Sequence, residues 1–348
     1  MAINQYDIDP EADARIAKLA ADLGTQNGAA RQLGVSKAAV QNACRRHVER
    51  SAAVLLFDRP KADPLPPSDM PFDERLEIMK KRNALRIAHA RAHAWQAVRI
   101  PIKGPYGVCW FGDPHLDDPF CDLHSFERDA TICAETEGLY GANGGDSINN
   151  WVGKLERLYA DQSATASEGW ELVEWAMKHL GVNWLLWILG NHDTWNYGKR
   201  IFDGMNTERI LMRDWDAKLR LISPCGGIAK VWARHDFKGH SMYNELHGLK
   251  RAAMVDEHAD IYAAFHRHTF GTGQGEFAGG RRYTLVRAKG YKESDDYALK
   301  GQFTEQRAGQ SVVTIITPRN QYAPEVSVFE NVEEGADFLT FKRRKAGL

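Results

Sequence analysis

No stretch of this 348-residue sequence comes near the roughly 18 unbroken apolar residues of a membrane span. Its first residues, MAINQYDIDPEADARIA, lack the basic region and apolar run of a secretory leader. Cysteine is scarce and badly arranged for cross-linking: Cys44, Cys109, Cys121, Cys133 and Cys225 are odd in number and form no C-x-x-C pair, which argues against a disulfide framework and a zinc ribbon. These absences point to a reducing compartment and a cytoplasmic location. Charge of one sign is missing too, since the net charge is -1 at pH 7, so overall electrostatics identify no partner. What remains, 43% hydrophobic and 26% charged residues, is ordinary globular composition. The length suits a large catalytic domain plus something smaller.

The texture divides the chain into four segments. Residues 1–52 are alanine-rich with helical apolar spacing from Glu11 to about Arg50. Residues 53–104 hold a Pro-rich linker, DRPKADPLPPSDMPF, and then a helical stretch whose Lys80, Lys81, Arg82, Arg86, Arg91 and Arg99 meet no acidic residue. Such a stretch could follow phosphates or serve as a solvated face. Residues 105–335 alternate short apolar runs with helical segments, which is α/β organisation. The KRRK near the end makes 336–348 read as a basic, frayed tail. No internal repeat is visible.

Within the N-terminal module, NGAARQLGVSKAAVQNACRR predicts a helix through Ala29–Leu33, a turn at Gly34, an N-cap at Ser36 and a second helix from Lys37 to Arg46. The arrangement resembles a helix-turn-helix, whose second helix would present Lys37, Gln41, Asn42, Arg45 and Arg46 to a DNA groove. A plain three-helix bundle used for packing is the competing reading.

Five apolar runs each stop at polar residues able to hold a metal. GVCWFGDPH delivers Asp113 and His115, LYGANGGD delivers Asp146, and WLLWILGNHD delivers Asn191, His192 and Asp193. IAKVWARHD delivers His235 and IYAAFHRH delivers His266 and His268. Helices are expected between them, over Trp151–Leu158 and Glu168–Leu180. A core that merely happened to bury histidines and carboxylates would not place all of them directly after apolar runs. His47, His89, His93, His124, His179, His247 and His258 lack that context and read as surface or core residues.

In order and type these blocks resemble the calcineurin-like metallophosphoesterase superfamily, whose pattern runs D-x-H, G-D-x-x, G-N-H-D/E, H, G-H-x-H, here over roughly residues 106–270. The resemblance implies a four-layer αββα sandwich carrying two divalent metal ions, preceded by the small all-α module. Carried over by position, Asp113, His115, Asp146 and His268 would hold one ion, and Asp146, Asn191, His235 and His266 the other. Asp146 would bridge them, because a carboxylate has two oxygens for ions about 3.5–4 Å apart. Mixed nitrogen and oxygen ligands suit manganese, iron or zinc better than calcium, and the family favours manganese. A hydroxide bridging the ions would attack phosphorus in line, while His192 contacts substrate and protonates the leaving oxygen, its ring held and its pKa raised by Asp193. Two blocks depart from the pattern. FHRH has Phe265 where the family has glycine, and RHDFKGH offers both His235 and His240, of which His235 ends the strand and His240 could face substrate.

The second block narrows the substrate. Phosphoprotein phosphatases of the superfamily read G-D-x-x-D-R-G there, with an arginine that grips a phosphate monoester, whereas this chain has GDSINNWVG, with Asn149 and Asn150 in that region. A phosphodiesterase is thereby favoured over a protein phosphatase. If the N-terminal module binds DNA, the reading becomes a nuclease or DNA-end-processing enzyme tethered to its substrate. A helix-turn-helix ahead of such a domain is similar to phage or prophage proteins. Two other readings stay open: an esterase for small phosphoesters such as cyclic nucleotides, and a DNA-binding protein with a vestigial site. Arg281, Arg282, Arg287, Lys289 and Lys292 could line a polynucleotide path, although charges at strand edges more often serve structure.

Overall fold

In the computed structural model, residues 9–54, 70–92, 94–207, 210–293, 311–320 and 322–348 are described. The chain divides into two compact units, Met1–Met79 and Lys80–Leu348.

The first unit contains three packed helices, α1 (Pro10–Asp22), α2 (Gln26–Leu33) and α3 (Lys37–Val54). Each start has a physical cause. Asp9 caps α1 by accepting from the Glu11 amide, with Pro10 at the first turn, where its missing N–H is harmless. Thr25 caps α2, Gly34 ends it at φ 64°, and Ser36 Oγ accepts from the Ala39 amide at the head of α3. The expected helix-turn-helix segments are therefore present as helices, with α3 running past Arg46. Their core is thin, made of Ile16, Ala20, Ala29, Ala30, Val40 and Ala43. Small side chains let α1 and α3 approach closely, and a buried ion pair completes the contact: Asp13, 2% exposed, accepts from Arg46 at 2.7 and 2.9 Å and from Arg50 at 2.8 Å.

The Pro-rich segment falls almost wholly outside the described residues. The basic stretch is a helix, α4 (Phe72–Ala92), only as far as residue 92. Further along, β1 (Gln96–Arg99) pairs in parallel with the later strand β6 (Asp216–Ile222), so Arg99 belongs to a sheet and not to a basic helix. That pairing moves the start of the α/β region back from residue 105 to Gln96.

The second unit is mixed α/β, with two six-stranded mixed sheets among the described residues. One has the order β12–β11–β2–β3–β4–β5, where β2 is Tyr106–Phe111, β3 Leu139–Asn143, β4 Trp184–Leu189, β5 Met212–Asp214, β11 Val312–Thr317 and β12 Glu325–Phe329. The other has the order β1–β6–β7–β8–β10–β9, where β7 is Ile228–Arg234, β8 Ile261–Ala264, β9 Gly271–Glu276 and β10 Arg282–Arg287. Side chains of a strand alternate between its two faces. Tyr106, Val108 and Trp110 of β2 therefore join Leu219, Val231 and Ile261 in one apolar core shared by the two sheets. Their neighbours Cys109 and Phe111 turn outward to Phe126, Ala130 and Val173 on the helices Leu123–Glu135 and Ala166–Lys178. On the far side Trp232, Tyr262 and Leu285 pack on Leu249, Ala252 and Ala253 of the helix His247–Val255. Burial on both faces explains why these strands read as continuous apolar runs.

Two expected elements differ. The predicted helix Trp151–Leu158 is a 3-10 helix over Gly153–Ala160. Residues 336–348 are not a frayed tail: the helix Val332–Lys345 buries Val332, Ala336 and Leu339, and its buried Arg343 donates to the carbonyls of Lys103 and Pro105 at 3.0 Å. The basic run ends a helix, where cations complement the exposed carbonyls.

Candidate metal centre

Strands β2, β3 and β4 run parallel in one sheet, as do β7 and β8 in the other. Parallel strands empty their chains at the same edge, so the residues that follow them meet outside the carboxyl ends. Asp113 and His115 follow β2, Asp146 follows β3, Asn191 and His192 follow β4, His235 follows β7, and His266 and His268 follow β8.

Local backbone geometry enforces the convergence. His115 (φ 44°), Asp146 (φ 50°), His266 (φ 63°) and His268 (φ 52°) all occupy left-handed conformations, which cost a non-glycine residue energy and persist where surrounding structure imposes them. Glycines supply clearance: a Cβ on Gly190 would lie 2.1 Å from Asp146 Oδ1. Gly144 likewise makes room for Phe265, whose ring a Cβ there would meet at 2.1 Å, so the residue that departs from the family pattern is accommodated by the second block.

The groups lie close together. His235 Nε2 is 3.2 Å from Asp146 Oδ2, 3.2 Å from Asn191 Oδ1 and 3.0 Å from His266 Nδ1. His268 Nε2 is 3.5 Å from Asp113 Oδ2, and His192 Nε2 is 4.0 Å from Asp146 Oδ2. Two sets have ligand atoms mutually within 4.8 Å: Asp113, Asp146, His235 and His266, and then His115, Asp146 and His192. Asp146 is common to both. Asp113 thus reaches the set that the family pattern assigns to the other ion, and His192 stands with His115.

The donor set fits a cation. Both oxygens of Asp113 are buried without a hydrogen-bond partner, a costly state for a carboxylate unless an ion meets it. Burial pushes the Asp113 carboxyl well above its usual range. Burial also opposes charge on His235, but the carboxylates of Asp146 and Asp113 outweigh it and raise that ring to about 10. For Asp146, burial is again outweighed, mainly by His235, and its carboxyl is held well below the usual range. Protons thus balance charge where a divalent ion would, and a metal must displace them to bind. His235 Nδ1 faces the Gly144 carbonyl at 2.8 Å, which leaves Nε2 as the ligating atom.

Several assigned roles change. Asp193 does not hold the His192 ring; its carboxylate accepts the amides of Ser147 and Gly190, both at 2.9 Å, and so braces the loops of two blocks. The His192 ring faces the Asn149 carbonyl through Nδ1, and burial lowers its pKa instead of Asp193 raising it. Asn149 and Asn150 are not free to grip substrate. Asn149 is 1% exposed and bonded to His115, Asp118 and Gln162, while Asn150 donates to the carbonyls of His192 at 2.7 Å and Trp195 at 3.2 Å. His240 lies outside the cluster, exposed and bonded to Arg267, so the ambiguity of the fourth block resolves to His235. Arg281 pairs with Asp260 and Arg287 is buried on the Glu245 and Phe265 carbonyls, both structural uses. In the helical module Lys37, Gln41, Asn42 and Arg45 are exposed, but Arg46 is spent on Asp13.

Sequence reasoning missed three groups. Trp195 lies against His192 with ring centroids 4.2 Å apart, Trp151 is 5.3 Å from the same ring, and Trp215 is 4.8 Å from His235. Asp117 and Asp118, in the run DPHLDD directly after the first block, anchor Asn149 at 2.7 and 2.9 Å. Lys292, named above for a polynucleotide path, is buried and pairs with Asp118 at 2.6 Å. The doubled aspartate beside a ligand block was the available signal.

No protein-family model and no curated protein matches this sequence. Among the described residues, no helix is long and apolar enough to cross a membrane.

Proposed function

We propose that the chain is a two-metal phosphodiesterase of the calcineurin-like metallophosphoesterase kind, its α/β unit being the four-layer αββα sandwich of that superfamily, and that it acts on nucleic acid as a nuclease or end-processing enzyme. The observation that carries the reading is Asp146, shared by two clusters of potential ligands beside an Asp113 whose buried oxygens have no hydrogen-bond partner. Asp113, Asp146, Asn191, His235 and His266, with His115 and His268, would hold the ions, manganese being the first choice. Two bound divalent ions would lower the pKa of water and offset charge on the phosphoryl oxygens. Asn191 contributes a neutral amide oxygen, which limits the negative charge an anionic substrate meets. His192, anchored through Nδ1, directs Nε2 toward the Asp146 side of the cleft, where a second proton taken up on Nε2 would be the one passed to the leaving oxygen. Lys37, Gln41, Asn42 and Arg45 recur along α3 with a spacing that puts three of them on one helix face, suited to a DNA groove.

Metal content of the purified protein, followed by hydrolysis of a bis-aryl phosphodiester, an aryl monoester, a cyclic nucleotide and single-stranded DNA with manganese, tests this reading. Two bound ions and diester or DNA cleavage are the expected results. Activity confined to monoesters would rule out the nuclease, and absence of bound metal would remove the hydrolase.

A further inference from the structure

The strongest feature outside the ligand set is a buried polar chain ending on two histidines of the cleft, His115 and His192. Asn149 Oδ1 lies 2.8 Å from His115 Nδ1, and the main-chain oxygen of the same residue faces His192 Nδ1. The other end of the side chain is equally committed. Asn149 Nδ2 donates to Asp118 Oδ2 at 2.9 Å and to Gln162 Oε1 at 3.2 Å. Asp118 is held by Lys292 at 2.6 Å, both side chains being buried. Gln162 is fixed in turn, donating from Nε2 to Asp117 Oδ2 at 2.8 Å and accepting the Trp151 indole N–H at 2.9 Å.

The logic of donors and acceptors follows from this chain. A carboxylate paired with an ammonium group can only accept, so the Asn149 amide nitrogen must face Asp118 and its oxygen must face His115. An oxygen acceptor at that position requires the His115 proton on Nδ1. The carbonyl of Asn149 makes the same demand on His192. A neutral imidazole with its proton on Nδ1 has its lone pair on Nε2.

We propose that Asn149 is a positioning residue that sets the ring tautomer of His115 and His192 together, through its side-chain oxygen for one and its main-chain oxygen for the other, so that both Nε2 lone pairs are offered to the cleft around Asp146. Its consequence for metal affinity rests on the two-metal reading; the tautomer itself does not. The buried Lys292–Asp118 pair is the anchor that prevents the amide from turning over.

The main-chain contact provides an internal control, because of the two histidine contacts a side-chain substitution removes only that to His115. Nitrogen-15 imidazole spectra of the full chain should show Nδ1–H on both rings. In Asn149→Leu, His115 should move toward Nε2–H while His192 stays as it was. Calorimetric titration with zinc chloride should show one of two binding steps weakened about 10–100-fold in Asn149→Leu and the other unchanged. A wild-type His115 carrying its proton on Nε2 would overturn the inference even if Asn149→Leu does not fold. An unchanged His115 tautomer and two unchanged zinc steps in a folded Asn149→Leu would overturn it as well. Wild type that binds no zinc while keeping both Nδ1–H rings would sink the two-metal reading and leave the tautomer assignment standing.

Discussion

Two buried aspartates separate the two units of this chain by what surrounds them. Asp13 in the helical module is 2% exposed and is met by Arg46 and Arg50, and the Arg46 hydrogen bonds hold its carboxyl below the ordinary value against the effect of burial. Asp113 in the α/β unit is 1% exposed, has no hydrogen-bond partner on either oxygen, and is pushed well above the ordinary value by that burial. Burial alone therefore does not mark a functional acid. A carboxylate buried with hydrogen-bonded guanidinium partners holds helices together; one buried with histidines nearby but no hydrogen bond on either oxygen, beside other ligand-type side chains, is the kind that could meet a metal ion.

The largest effect that would sharpen this contrast lies at the cleft. His192→Ala should lower phosphodiesterase turnover by about 10²–10⁴-fold while both metals stay bound, whereas Asp146→Asn should lose metal as well. Metal analysis alongside initial rates checks this, and equal metal loss in the two variants would contradict the separate roles. Next in size, Asp13→Ala should destabilise the helical module by about 2–3 kcal/mol, because it strands two guanidinium groups that made charge-assisted hydrogen bonds. Urea unfolding followed by circular dichroism would show it, with metal content unaltered. The mirror experiment is Asp113→Asn: metal affinity should collapse, yet stability without metal should be unchanged or rise by up to about 1 kcal/mol. A loss as large as that of Asp13→Ala would break the comparison.

The smallest effects concern pH and differ in sign. Asp13 has a lowered folded pKa, so its contribution is complete above the unfolded value near 3.8 and is lost as pH falls through the folded one. Acid titration below pH about 4 should therefore narrow the stability gap between wild type and Asp13→Ala. Burial raises Asp117 to about 6, so the folded chain retains a proton that the unfolded chain has released, and stability falls as pH rises from about 4 to about 6. Asp117→Asn should match wild type below that window and exceed it above, as read by thermal unfolding without added metal. A gap that stays constant across the window would remove the assigned cause.

Legibility from sequence followed the range of the interactions. The strands ending at Phe111, Asn143, Leu189 and Ala264 were readable because burial on both faces leaves an apolar run with a sharp polar stop. The helix caps at Ser36 and Gly34 were readable because capping is local. Arg343 was misread because its partners, the Lys103 and Pro105 carbonyls, are more than 200 residues away in the chain, and nothing in KRRK marks one arginine for burial. Asp193 was misassigned for a related reason. Adjacency to His192 looked like a hydrogen bond, whereas a side chain next to another in a tight turn points elsewhere, here to the Ser147 and Gly190 amides.

By itself the amino-acid order determined which side chains arrive at the strand ends, since alternation of apolar runs and polar stops is a one-dimensional property. Folding decided which of those side chains lie close enough to hold one ion, which asparagine amides were already spent, and which rings became anchored through Nδ1. Those outcomes depend on distances of about 3 Å between residues dozens of positions apart, which only the packing of two sheets against each other sets.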